Sequence, residues 1–320
     1  MSFQKFAKHN PKCQTKNQKS KSTTVDMGNT SSSKSSSSVP NPFKSKTKRA
    51  APKITKSVLN QKLNNAFKTK LLSLSEHRLT QLPAPLLEIV DLKSLDLKRN
   101  KLGSTDASLT SLCSFAQLKT LHLDQNDLQL GHLPPSLAPL TKLQVFTISD
   151  NPKIGQSAGG LLPELPPSLK NLDASWCRLS RVPPCLHNRG EMSALVSIIL
   201  SGNEIVSLPD ELYDKCPNLA EINLKDNSVF RISSMVGKLK KLKALDLSNN
   251  RLSSKDDEQC LASQLFAETT VIDLTLTGND ITLTVLNTFV GFDVFLDRRT
   301  KLKKKDMAGG ALTDFGVCGL

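Results

Sequence analysis

Leu242-Lys243-Ala244-Leu245-Asp246-Leu247-Ser248-Asn249-Asn250-Arg251-Leu252 decides how this chain folds. Apolar residues at fixed offsets lead to an asparagine and one further leucine. The same spacing recurs at Leu92, Leu95, Leu97, Asn100 and Leu102. Outward from these two copies the pattern repeats around Asn126, Asn151, Asn203, Asn227 and Asn279, with Cys177 and His77 standing in for asparagine in two others. Nine units follow one another at steps of 23 to 29 residues. Alternate residues of a short strand point to opposite faces, so Leu245 and Leu247 turn inward while Ala244, Asp246 and Ser248 face out. One such unit cannot bury its own leucines; a stack of nine can.

A period of roughly 20 to 29 residues with this pattern predicts leucine-rich repeats. The expected fold is an α/β solenoid, a horseshoe of about nine repeats with a short parallel strand in each. The asparagine turns the chain out of the strand, and its buried amide must find backbone partners. Leu82-Pro83, Leu133-Pro134, Val182-Pro183 and Leu208-Pro209 belong on the irregular convex side, where proline removes no ladder hydrogen bond. Both ends need covers. Leu59, Leu63 and Phe67 predict a helical cap over 57–70 ahead of repeats spanning 71–282; Leu283, Leu286, Val290 and the stretch from Phe292 to Leu296 predict a C-terminal cap and basic helix over 283–305. Residues 306–320 read as a flexible tail.

The net charge of +14 is unevenly distributed. Residues 1–56, rich in lysine and serine, hold +12; the run from Arg298 to Lys305 holds +6; residues 57–297 sum to −2. The leader cannot bury a core and reads as disordered. A near-neutral body offers no strong counterion-release term, so nucleic acid is not an expected partner. No apolar run reaches transmembrane length. Seven cysteines, an odd number without short paired spacing, predict free thiols inside a cell.

The leucine-proline repeats resemble the intracellular leucine-rich repeats of Ras-pathway scaffolds and their plant Ras-group-related relatives. The stretch Phe67-Lys68-Thr69-Lys70-Leu71-Leu72-Ser73-Leu74, with Leu79-Thr80-Gln81-Leu82-Pro83, is similar to the start of the family of leucine-rich repeat-containing protein fifty-seven. Gly278-Asn279, Gly291-Phe292-Asp293, Phe295 and Arg298 are similar to its end. That family begins with Met-Gly-Asn, which stands here at Met27-Gly28-Asn29. The resemblance implies an intracellular binding module that can be lipidated.

Gly28 is a myristoylation site only if translation begins at Met27, since the reaction needs an N-terminal glycine amine. Lys34, Lys44, Lys46, Lys48, Arg49, Lys53 and Lys56 would then add attraction to an anionic membrane surface. The expected location is cytoplasmic with peripheral membrane association; a nuclear signal at Lys44 to Arg49 and a serine-rich organelle leader are the alternatives. Asp314-Phe315-Gly316 copies a kinase triplet without any of its companions, and no nucleophile elbow, zinc spacing or phosphate loop is present in the sequence. The expectation is therefore a non-enzymatic monomer without cofactor, an adaptor or scaffold binding a protein on its concave face. The alternative is a regulatory subunit of an enzyme such as a phosphatase, or of a Ras-pathway complex. Counting back from each asparagine position places Asp96, Asp124, Asp173, Glu221, Asp246 and Asp273 on that face against Lys98 and Lys225. Val145, Trp176 and Ile199 are its apolar anchors.

Overall fold

The structure is a computed structural model describing residues 53–156, 161–188, 190–253, 259–307 and 317–320. The predicted leader up to residue 52, with Gly28, Lys34, Lys44, Lys46, Lys48 and Arg49, lies outside the described residues.

Helix α1 (Lys56–Thr69) opens the solenoid. Its N-cap Thr55 accepts a hydrogen bond from the Val58 amide, and Lys70, in the left-handed region at φ 61°, ends it by donating its N–H to the Ala66 carbonyl. Leu63 and Ala66 are buried, whereas Phe67 is 42% exposed. The inward stripe thus runs 59, 63, 66, as a period of 3.6 requires, and not 59, 63, 67. Lys62 Nζ donates to the Ser73 carbonyl at 2.9 Å, tying the helix to the first strand.

Nine strands of three residues form one open parallel sheet in sequence order: β1 (Leu71–Ser73), β2 (Ser94–Asp96), β3 (Thr120–His122), β4 (Val145–Thr147), β5 (Asn171–Asp173), β6 (Ser197–Ile199), β7 (Glu221–Asn223), β8 (Ala244–Asp246) and β9 (Asp273–Thr275). The horseshoe solenoid expected from the repeat is what forms. Central residues align strand to strand, Leu72, Leu95, Leu121, Phe146, Leu172, Ile198, Ile222, Leu245 and Leu274, and all are buried. The return segments are short and irregular. Pro83 and Pro183 precede 3₁₀ turns at Ala84–Glu88 and Pro184–Leu186, and Pro209 precedes helix α2 (Asp210–Lys215).

The asparagines knit repeat to repeat. Asn100 Nδ2 donates to Leu97 O in its own repeat and Leu74 O in the one before, both at 2.8 Å, while its Oδ1 accepts the His77 and Leu79 amides at 3.0 Å. Asn203 repeats the arrangement with Ala174 O, Leu200 O and the amides of Cys177 and Leu179. A buried amide so placed satisfies the polar groups that the turn would otherwise orphan.

After helix α3 (Ser263–Ala267) and β9 come α4 (Leu283–Leu286) and α5 (Phe292–Met307). Phe266, Phe292 and Phe295 form one aromatic cluster, Phe266 meeting Phe292 edge-on at 5.5 Å between centroids. Leu286, Phe289, Phe292 and Phe295 are buried, but Val290 is 69% exposed, so the cap is carried by the aromatics and Val290 is not part of it. Arg298, counted with the basic run, has a different use. Its guanidinium donates to Val271 O and Phe266 O at 2.7 Å each, closing carbonyls at the end of the stack. The last residues also differ from the flexible tail expected over 306–320. Cys318 is buried, its carbonyl accepts the Leu276 amide at 2.9 Å, and Thr277 Oγ1 donates to Gly319 O at 2.8 Å. Residues 317–320 thus lie along the open edge of β9, whose unpaired backbone groups would otherwise face water.

Candidate concave binding site

On the concave face each strand presents its first and third residues. Further on, the residue just before each asparagine position lies in the left-handed region. Glu76, Arg99, Gln125, Asp150, Trp176, Asp226 and Asn249 have φ between 52° and 63°, and glycine takes the position at Gly202 and Gly278. These residues form a row along the sheet and touch across repeats. Arg99 pairs with Glu76 at 2.5 Å and donates its Nε to Gln125 Oε1 at 3.0 Å. Asn249 Nδ2 donates to Asp226 Oδ1 at 2.6 Å.

Trp176 breaks this polar row. A bulky residue held at φ 56° costs about 1–3 kcal/mol of backbone strain, which persists only where surroundings enforce it. Its indole lies against Gly202 of the next repeat; a β-carbon there would come within 2.3 Å of the ring. Gly202 is thus required twice, for its own φ of 67° and for the room it gives the indole.

Beside the indole is a hollow of about 380 Å³ lined by Lys98, Arg99, Asp124, Gln125, Thr147, Ser149, Asp150, Asp173, Ser175, Trp176, Ile199 and Ser201. A hydrogen-bonded chain forms its floor. Asp124, 7% exposed, accepts Thr147 Oγ1 at 2.6 Å, Ser149 N at 2.9 Å and Ser149 Oγ at 2.8 Å, and pairs with Lys98 Nζ at 3.2 Å. Thr147 Oγ1 also lies 2.8 Å from His122 Nδ1. Because the threonine's one hydrogen goes to Asp124, His122 Nδ1 must be the donor, which fixes the imidazole tautomer. Burial, with Lys98 nearby, holds the His122 pKa below its ordinary value, so the ring is neutral at physiological pH.

The hollow gathers four of the predicted contacts: Trp176, Ile199, Asp124 and Asp173. Val145 stands half-buried on β4 outside it. The predicted concave acids are hydrogen-bonded to the frame. Asp173 accepts Ser175 N and Oγ at 3.0 and 2.5 Å, Asp246 accepts Ser248 N and Oγ at 2.9 and 2.6 Å, Asp96 accepts Ser73 Oγ at 2.9 Å, and Glu221 accepts Ser197 Oγ at 2.8 Å. These carboxylates bind the frame first. Reading from the sequence missed Arg99, Gln125 and Asp150; the available signal was their place immediately before each asparagine position. Of the predicted membrane-surface residues, Lys53 and Lys56 are described, and both are exposed.

Cys177 behaves as frame. Its thiol is buried, pushed up to about 12 by that burial, and its Sγ donates to Ile148 O at 3.2 Å and Ser175 O at 3.4 Å. Among the described residues no three His, Cys, Asp or Glu side chains converge as a metal site would require. No helix among them is long and apolar enough to cross a membrane.

Comparison with known proteins agrees with this geometry. Residues 193–258 match the leucine rich repeat family, and rabbit fibromodulin is 33% identical over 140 residues, covering 42% of this chain and 87% of that sequence. The chain belongs to the leucine-rich repeat family. Rat lumican is 28% identical to this leucine-rich repeat protein over 193 residues, and fission-yeast adenylate cyclase 24% identical over 198. The matched part of the chain spans 53% of the lumican length and 11% of the cyclase. Among solved structures, a chain of the glycosylated Drosophila Toll–Spatzle complex aligns with a TM-score of 0.52 at 24% identity, covering 71% of this chain and 29% of that one. A Listeria monocytogenes internalin aligns at 0.50 and 23% identity, covering 69% and 58%. At these identities the likeness concerns the fold.

Proposed function

We propose that this leucine-rich repeat protein is a non-enzymatic binding module, an intracellular adaptor or scaffold, whose protein partner seats on the hollow beside Trp176 and Ile199. The observation that carries the reading is the indole itself: a strained, half-buried tryptophan, given room by a glycine of the next repeat, where the equivalent residues form polar cross-repeat pairs. Tryptophan and arginine in a partly desolvated pocket are the residue types that dominate interface energetics, and Arg99 shares this one. The repeat fold serves a protein–protein complex in Toll–Spatzle, which is the same class of use. The floor of bonded carboxylates and hydroxyls offers a partner's polar groups fixed orientation. Tethering by myristate belongs to this reading only for a chain begun at Met27, and label from a myristate analogue, lost in Gly28→Ala, is the expected result.

The test is quantitative capture of partners by the full-length chain and by Trp176→Ala. Truncating a central interface aromatic typically costs about 2 kcal/mol or more, so the variant should retain at most about a thirtieth of the wild-type affinity. Equal affinity per folded molecule would make Trp176 a packing residue and overturn the site.

A further inference from the structure

The body's charge of −2 hides a segregation that only the fold reveals. The residue immediately before the first position of each strand lies at the sheet's leading edge. From Lys70 to Lys243 these residues are linked one to the next by backbone hydrogen bonds of 2.8 Å. Lys70, Lys93, Lys119, Lys170 and Lys243 are five of its eight links, and none of the other three is acidic. Lys142, Lys240 and Lys241 stand a turn earlier on the same edge. Two acids on this edge are already neutralised: Asp91 pairs with Lys70 at 2.7 Å, and Glu268 with Lys240 at 2.9 Å. At ~4.8 Å per strand the row extends about 34 Å. Like charges stacked at that spacing repel, and the leucine frame gains nothing from them.

The edge is built from lysine, not arginine. The arginines next to the asparagine positions, such as Arg78, Arg178 and Arg251, stand at the opposite, trailing edge. Lysine is a hydrated point charge without the fork that reads carboxylates or phosphates two at a time, so it suits a diffuse anionic surface better than one specific ligand. Aliphatic side chains accompany the row. Val196, itself a link, is 40% exposed; at the first strand's end of the row, Leu71, next to Lys70 where the edge turns onto the concave face, and Val90, three residues before Lys93, are 57% and 63% exposed. A shallow hollow lined by Val196, Ala220, Lys240, Lys241 and Lys243 lies on the same edge. An acidic polypeptide would gain little from these apolar groups, and stacked bases would require aromatics interleaved with the lysines.

We propose that this leading edge is a docking surface for an anionic lipid bilayer, with the lysines at headgroup level and Val90, Leu71 and Val196 entering the interface. This is separate from the concave hollow and from any attraction by the leader. Basic side chains near an anionic bilayer act nearly additively.

The test is partitioning of the full-length protein onto phosphatidylcholine vesicles with and without phosphatidylserine, at low and physiological salt. Binding should require phosphatidylserine and weaken with salt. A variant carrying Lys93→Gln, Lys119→Gln, Lys170→Gln and Lys243→Gln should partition at least roughly thirtyfold less at an unchanged melting midpoint. If the fourfold variant unfolds, Lys93→Gln with Lys243→Gln should still lose several-fold. The counterpart, Lys44→Gln, Lys46→Gln, Lys48→Gln and Arg49→Gln in the leader, should lose less. Absence of vesicle binding, wild-type partitioning of the edge variants, or a loss confined to the leader variant would overturn the proposal. So would capture of soluble polyglutamate in place of vesicles.

Discussion

The neighbouring repeats centred on Asn151 and Cys177 share a strand register and a buried turn, yet they use the turn differently. Asn151 donates to Leu123 O and Ile148 O and accepts the amides of Asn126 and Leu128. Cys177 offers two long sulfur contacts and no side-chain oxygen. One residue earlier the left-handed position holds Asp150 in the first repeat and Trp176 in the second. On the proposed function, frame and recognition occupy adjacent positions of one repeat. The hollow spans five repeats, from that of Asn100 to that of Asn203, and the Cys177 repeat is one of them.

That contrast can be broken most strongly at the frame. Asn151→Ala strands the buried amides of Asn126 and Leu128 and leaves Leu123 O and Ile148 O with one side-chain donor fewer each, so urea unfolding should show a loss of about 4 kcal/mol. Cys177→Ala should cost about 1 kcal/mol, because a small weakly bonded group is removed. Equal losses would mean that the two turns bear equal load. Gly202→Ala comes next. It forces a β-carbon into the indole and a side chain onto φ 67°, and it should lower stability by about 2 kcal/mol while displacing Trp176. At the C-terminal end, Arg298→Met leaves two carbonyls unpaired, and hydrogen exchange should rise in the last repeats while β1 to β4 stay protected.

The smallest effect is in pH. His122 has a lowered pKa in the folded chain, so the unfolded chain binds its proton more readily. This term is present above the unfolded value near 6.5 and is lost as pH falls through that value toward the folded one. His122→Gln should therefore flatten the decline of the melting midpoint between about pH 7 and 5. An unchanged slope would place the acid sensitivity elsewhere, with His77 the next histidine to replace, since its pKa is lowered by burial as well.

Most of the fold was legible because the repeat is local: each strand, turn and asparagine can be read from offsets of two or three residues. The placement of Trp176 and Ile199 on the concave face was legible for the same reason. The polar row of Glu76, Arg99 and Gln125 was not, because its partners are 23 to 26 residues apart and meet only through strand stacking. Nor could counting show that the concave carboxylates are occupied by serines of their own or a neighbouring repeat. Phe67 was misplaced for a local reason: offsets 59, 63 and 67 also suit a helix face, and only docking on β1 selects Ala66. Arg298 and Cys318 could not be assigned from sequence, since both act on backbone groups of a repeat end that exists only after stacking.

The separation of frame from recognition is tested most directly by measuring, in one experiment, partner affinity and melting midpoint for Trp176→Ala and Asn151→Ala beside the wild type. Trp176→Ala should lose at least about thirtyfold in affinity at a nearly unchanged midpoint, and Asn151→Ala should melt far lower while its folded fraction binds normally. A Trp176→Ala protein that melts low yet binds fully when folded would contradict that separation.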